Sequence, residues 1–132
     1  MKASSSPLSS KTMQGLHLTA ELHECALPNP AMTDEASLRA MCLRAVAEAG
    51  LHAVGEIFHR FAAPGGVTGV VLLAESHVAV HTWPELAAVT LDVYVCNQHA
   101  DNCARAETLM AALEAAFEPQ RIQRQRMERG QI

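Results

Sequence analysis

The run Val89-Thr90-Leu91-Asp92-Val93-Tyr94-Val95-Cys96 constrains the fold more than any other feature of the chain. Its period of two sends Val89, Leu91, Val93 and Val95 to one face of an extended strand, and Thr90, Asp92, Tyr94 and Cys96 to the other. Such a strand belongs in a sheet with one packed face and one chemically different face. The start of the chain repeats the pattern, with Leu16, Leu18, Ala20 and Leu22 opposite His17, Thr19, Glu21 and His23. From His52 to Cys96 the sequence is rich in Val and broken by Pro64-Gly65-Gly66 and Trp83-Pro84. This predicts strands near 53–61, 67–75, 77–82 and 88–96. A weaker strand is expected around Arg121–Met127.

Two segments switch to a helical period. Thr33 is the expected N-cap of the first, with Asp34 and Glu35 suited to the positive end of the helix dipole. Leu38, Met41, Cys42, Ala45, Val46 and Ala49 follow at helical spacing, and Gly50 supplies the stop. In the second, Asp101 or Asn102 caps a helix carrying Leu109, Met110, Leu113, Ala116 and Phe117. The simplest assembly is a two-layer α+β sandwich, an antiparallel-rich sheet with both helices on one face. Its uncovered face then needs a partner. At 132 residues the chain has room for one core. A mobile arm is expected over residues 1–14 and a single domain over 15–132.

A net charge of -4 provides no field to draw in nucleic acid. Arg121, Arg124, Arg126 and Arg129 are a local exception, read as a solvated strand or tail, with a basic binding patch as the alternative. Four cysteines form no CxxC pair, and residues 1–15 contain no apolar signal-peptide core. Reduced thiols in a cytoplasm fit this pattern. The longest apolar stretch, around Val70–Ala74, is far too short to cross a bilayer.

The polar residues that could carry chemistry concentrate in Ala74-Glu75-Ser76-His77-Val78-Ala79-Val80-His81-Thr82-Trp83-Pro84-Glu85. A hydrolase nucleophile elbow needs small residues around its serine, whereas Glu75 and His77 flank Ser76. A metal could take His77, His81 and Glu85, since residues an even number apart on a strand share a face. The plainest reading is a strand end with its polar residues in solvent.

A fourth reading rests on resemblance. The run AESHVAVHTWPE, with Leu91-Asp92-Val93-Tyr94-Val95-Cys96 downstream, resembles the short bacterial and archaeal S-adenosylmethionine decarboxylases. His17-Leu18-Thr19-Ala20-Glu21 with Glu24-Cys25, Phe58-His59-Arg60-Phe61, and Gly66-Val67-Thr68-Gly69-Val70-Val71 resemble other family segments in the same order. The resemblance runs from about Gly15 to Phe117. It implies self-cleavage between Glu75 and Ser76, giving chains 1–75 and 76–132. Ser76 resembles the serine that attacks the preceding carbonyl and becomes a covalent pyruvoyl group. His81 resembles the proton acceptor of that processing, and Thr68 stands where a serine that aids it is usual. A pyruvoyl ketone forms a Schiff base with a substrate amine and takes up the electrons that decarboxylation releases. Cys96 resembles the proton donor of turnover, although a lone cysteine is more often a small buried apolar residue.

In the family, aromatic residues stack on adenine, here Phe61 and with less support Phe58, and an acid matching Glu85 binds the ribose hydroxyls. By default the two rings would be core and Glu85 a solvated acid. The resemblance further implies a homodimer and a product that donates aminopropyl groups for spermidine synthesis, with no metal, membrane or nucleic-acid partner. Three surroundings depart from the family. Leu86-Ala87-Ala88 replaces an aromatic-Gly-aromatic stretch, Val95-Cys96-Asn97 replaces Thr-Cys-Gly, and Leu16 replaces a basic residue. Related scaffolds decarboxylate ornithine or arginine; an unprocessed binding or regulatory homologue is a further alternative. One difficulty is internal to the strand: Ser76 and His81 differ by an odd number, so a flat strand sends them to opposite faces.

Overall fold

A computed structural model describes residues 14–97 and 101–130. The expected arm lies outside the described residues except for Gln14, which opens the first strand. In chain order the elements are β1 (Gln14–His23), α1 (Glu35–Glu48), β2 (Ala53–Arg60), β3 (Val67–Leu73), β4 (Ser76–Trp83), β5 (Ala88–Cys96), α2 (Cys103–Phe117) and β6 (Arg121–Gly130). One sheet holds all six strands in the order β2-β3-β4-β5-β1-β6, and every neighbouring pair is antiparallel.

The alternation sorts the two faces as expected. Leu18, Leu22, Val78, Val80, Leu91 and Val93 are buried beneath the helices. α1 lies over β2 and β3, α2 lies over β5 and β1, and the two helices touch. Both helices occur as connections, α1 from β1 to the far edge strand β2, and α2 from β5 over β1 to β6. The opposite sheet face carries no element of the described residues, which makes the architecture the anticipated two-layer α+β sandwich.

The N-cap of α1 is Asp34 rather than Thr33. Its carboxylate accepts from the backbone N–H and the hydroxyl of Ser37, and these bonds hold the carboxyl below its ordinary range. Thr33 instead closes the short 3-10 turn Pro30–Met32. Gly50 ends the helix at φ 79°, a conformation that suits glycine. At α2, Asn102 is the N-cap without a side-chain cap bond, while Asp101 accepts from the Cys103 N–H at 3.0 Å.

β6 reaches three residues beyond the expected strand and pairs with β1 from Arg121 to Gly130. Only Ile122 packs against the core; Arg124 and Arg126, on the same helix side, are ion-paired instead. Arg124 donates twice to Glu114 on α2, at 2.9 and 2.8 Å, and Arg126 pairs with Glu107. Glu114 is 6% exposed, so the bidentate partner satisfies an otherwise costly buried carboxylate. Arg124 and Arg126 therefore form part of the fold.

Candidate functional site

The residues singled out in the sequence gather at the two ends of β4. At one end, a two-residue connection, Ala74-Glu75, joins β3 to β4, with Leu73 paired to Ser76. Two-residue hairpin turns favour Gly, Asn or Asp at positive φ. Here Glu75 occupies that region at φ 58°, which costs about 1 kcal/mol for a residue with a Cβ. The strained residue directly precedes the Glu75–Ser76 bond.

Ser76 is half-buried, and its Oγ accepts from the backbone N–H of Cys96 at 3.1 Å. Cys96 ends β5 on the same face as Tyr94. It is 7% exposed yet stands outside the hydrophobic core cluster. Asn102 donates to the Cys96 carbonyl at 2.9 Å, and the Asn97 side chain accepts from the Asn102 N–H at 2.8 Å. The end of β5 is thereby anchored to the start of α2. The remaining cysteines belong to other surroundings. Burial pushes the Cys42 thiol up to about 12 and raises that of Cys25, and Cys103 packs at the base of α2.

At the other end, Thr68 of β3 pairs with His81, and its hydroxyl lies 3.0 Å from His81 Nδ1. When Nδ1 donates to Thr68, Nε2 retains its lone pair and can act as a base. Thr82, alongside, turns inward; its hydroxyl donates to the Met32 carbonyl and accepts from the Val67 N–H, fixing this end of the strand. A pocket of about 140 Å³ opens here, lined by Phe61, Thr68, His81, Trp83 and Glu85 among others. Phe61 is 52% exposed and meets His59 edge-on, with ring centres 4.6 Å apart. Phe58 faces the other way. It is buried against Gly69, where an added Cβ would come within 2.1 Å of its ring, and Arg39 covers it at 5.3 Å. Its ring serves the core and is not offered to the pocket.

The structure therefore brings Glu75, Ser76 and Cys96 together, and separately Thr68, His81, Phe61 and Glu85. It does not join the two groups within one chain. β4 runs unbroken from Ser76 to Trp83, and five residues of strand separate Ser76 from His81 by about 17 Å. The turn precedes Ser76 and leaves this distance unchanged. The same spacing corrects the metal alternative. His77 and His81 share a face, but four residues of strand put them about 13 Å apart, too far for one ion. A larger cavity of about 450 Å³ between α2 and β6 includes no residue of either group.

Four side chains that the motif did not single out cluster on the open face near Cys96. His17, Asp92 and Tyr94 occupy the polar positions of β1 and β5, and Arg129 reaches over from β6. The alternation of the two strands was the signal that could have found the first three; Arg129 stood out only as one of a run of four arginines.

These features define the class: a single-sheet α+β domain in which a left-handed residue and a serine form the hairpin between two central strands. A family model described as S-adenosylmethionine decarboxylase matches residues 16–130. The S-adenosylmethionine decarboxylase proenzyme of Synechococcus sp. (strain WH7803) is 44% identical over 87 residues, 66% of either chain. That of Methanococcus maripaludis (strain S2) is 33% identical over 118 residues, 89% of this chain and 91% of the relative. The crystal structure of the adenosylmethionine decarboxylase from Aquifex aeolicus VF5 superposes with a TM-score of 0.77 at 35% identity, covering 92% of this chain and 94% of that one. The chain belongs to the S-adenosylmethionine decarboxylase family.

Proposed function

We propose that this chain is a proenzyme that cleaves itself between Glu75 and Ser76, and that the processed protein decarboxylates S-adenosylmethionine with a pyruvoyl group made from Ser76. The observation that carries the reading is the turn itself, a left-handed Glu75 followed by a serine whose oxygen is held by a backbone N–H. Attack of Ser76 Oγ on the Glu75 carbonyl exchanges the amide for an ester and frees Glu75 from the strained hairpin. The hydroxyl proton passes to the departing amide nitrogen, and the Cys96 N–H supports the charge that Ser76 Oγ gains as it gives that proton up. His81 then takes the Cα proton of residue 76, the Glu75 carboxylate leaves, and hydrolysis releases ammonia. Chains 1–75 and 76–132 result.

Ser76 Oγ departs with the Glu75 carboxylate, and water supplies the ketone oxygen on the Cα of residue 76. A pyruvoyl group supplies the electron sink that loss of carbon dioxide from an amino acid requires. Cys96 donates the proton that replaces the carboxylate on the substrate Cα. Phe61 offers a ring to adenine, and Glu85 accepts hydrogen bonds from the ribose hydroxyls.

One reaction needs both Ser76 and His81, and a single chain holds them about 17 Å apart. The reading therefore includes a homodimer in which two open sheet faces meet about a twofold axis. Thr68, His81, Phe61 and Glu85 of one copy then serve Ser76 and Cys96 of the other. Exposed Ile57, Leu72 and Met127 on that face supply apolar area for the contact. Among the described residues no helix is long and apolar enough to cross a membrane, and a cytoplasmic enzyme with reduced thiols accords with this.

The deciding experiment is the intact mass of denatured, freshly purified protein. Two fragments meeting at Glu75 and Ser76, the later one with a blocked amino terminus, are expected. Carbon dioxide release should favour S-adenosylmethionine over ornithine and arginine. A single chain that survives prolonged incubation overturns the reading in favour of an unprocessed binding subunit.

A further inference from the structure

The ring of Tyr94 leans off β5 and across β1. An added Cβ on Gly15 would fall 2.6 Å from the Tyr94 hydroxyl and 2.7 Å from a ring carbon, so the tyrosine tip occupies the space a side chain at position 15 would need. Gly15 is the pairing partner of Cys96 on one side and of Arg129 on the other. Directly opposed residues hold their Cβ atoms about 5 Å apart. The phenol tip thus lies over the residue that pairs with both Cys96 and Arg129.

Three further contacts keep the ring there. The Arg129 guanidinium lies 5.7 Å from its centre, the His17 ring meets it edge-on at 6.1 Å, and His77 lies tilted at 5.7 Å. Arg129 also donates to His17 Nδ1 at 3.3 Å. Because arginine only donates, Nδ1 accepts, and Nε2 therefore carries the proton given to Asp92 at 3.1 Å. Asp92, His17 and Arg129 form a chain across β5, β1 and β6 that fixes the guanidinium against the phenol.

We propose that Tyr94 is a positioning residue for Cys96, its hydroxyl orienting the thiol over Gly15 while Arg129 backs the phenol from the far side. The inference rests on the decarboxylase reading. When Cys96 gives its proton to the substrate carbon, the sulfur is left as thiolate, which the phenol O–H supports as hydrogen-bond donor. Solvent returns the proton before the next turnover. Self-cleavage uses Ser76 and His81, so it does not call on the phenol.

The test compares full-length wild type with Tyr94→Phe, Gly15→Ala and the double variant. Tyr94→Phe should cleave at the wild-type rate, hold KM within about twofold and lose about fivefold in kcat, the worth of one hydrogen bond. Gly15→Ala displaces the phenol, so it should lower kcat similarly, and the double variant should fall no further. Wild-type kcat in Tyr94→Phe overturns the proposal, as does a rise in KM with kcat unchanged. If wild type cleaves itself yet releases no carbon dioxide, the substrate reading fails separately. Iodoacetamide labelling of Cys96 in the intact protein then decides the positioning role. Labelling at least about threefold slower in Tyr94→Phe upholds it, and an equal or faster rate overturns it.

Discussion

The two ends of β4 have similar backbones and opposite chemistry. Before the strand, Glu75 sits at φ 58°; after it, beyond the turn Pro84–Leu86, Ala87 sits at φ 49°. Both are left-handed residues with a Cβ, and both carry the associated strain. At the first end the strain abuts the bond that the proposed processing cuts, and the adjoining Ser76 hydroxyl accepts from the Cys96 N–H. At the second end it abuts the acid assigned to ribose, and the nearby side chains are an imidazole, a threonine and an exposed ring. The nucleophile and the base of one reaction stand at opposite ends of one straight strand. Backbone strain by itself therefore says little; what adjoins it decides whether it has a chemical use.

The sharpest way to break this comparison is to remove a group from each end of the proposed chemistry. Ser76→Ala is expected to abolish both cleavage and carbon dioxide release. Cys96→Ala should still cleave, seen as two fragments by mass, while kcat falls about a hundredfold for loss of a proton donor. Normal turnover in Cys96→Ala would remove the thiol from the mechanism.

Next in size is a test of whether the two ends meet across two copies. His81→Ala alone should remain uncleaved, as Ser76→Ala does. When the two variants are co-expressed, half of randomly formed dimers are mixed and each mixed dimer has one intact site. About a quarter of the chains should then process. No cleavage in the mixture would mean that His81 serves the serine of its own chain.

The smallest effects separate the two strained residues. Glu75→Gly removes about 1 kcal/mol of strain from the proenzyme, so self-cleavage should slow about fivefold in a time course. Ala87→Gly should leave the cleavage rate alone and stabilise the protein by about 0.5–1 kcal/mol in thermal unfolding, strain relief outweighing the added chain entropy. Equal effects on cleavage at both positions would erase the distinction between the ends.

Much of the fold was legible because alternation is a local property. Leu16 to Leu22 and Val89 to Val95 announced which side chains enter the core, and the periodic apolar residues marked both helices. Less legible were features settled by competition between near neighbours or by distant partners. Asp34 outranks Thr33 as cap because its carboxylate reaches the Ser37 N–H and hydroxyl. β6 was underestimated because its helix-side arginines are neutralised by Glu107 and Glu114, many residues away in sequence. Phe58 and Phe61 look equivalent in the motif, yet only one backbone position faces the pocket.

By itself, the sequence determined the two-layer class and the order of the elements, because pattern and residue type are written along the chain. Tertiary structure alone decided the rest. It brought Cys96 to Ser76 through strand pairing, held His81 away from both, turned Phe58 inward and seated Tyr94 on Gly15. The physical reason is that a strand fixes the direction and distance of its own side chains, while register between strands decides which of them become neighbours.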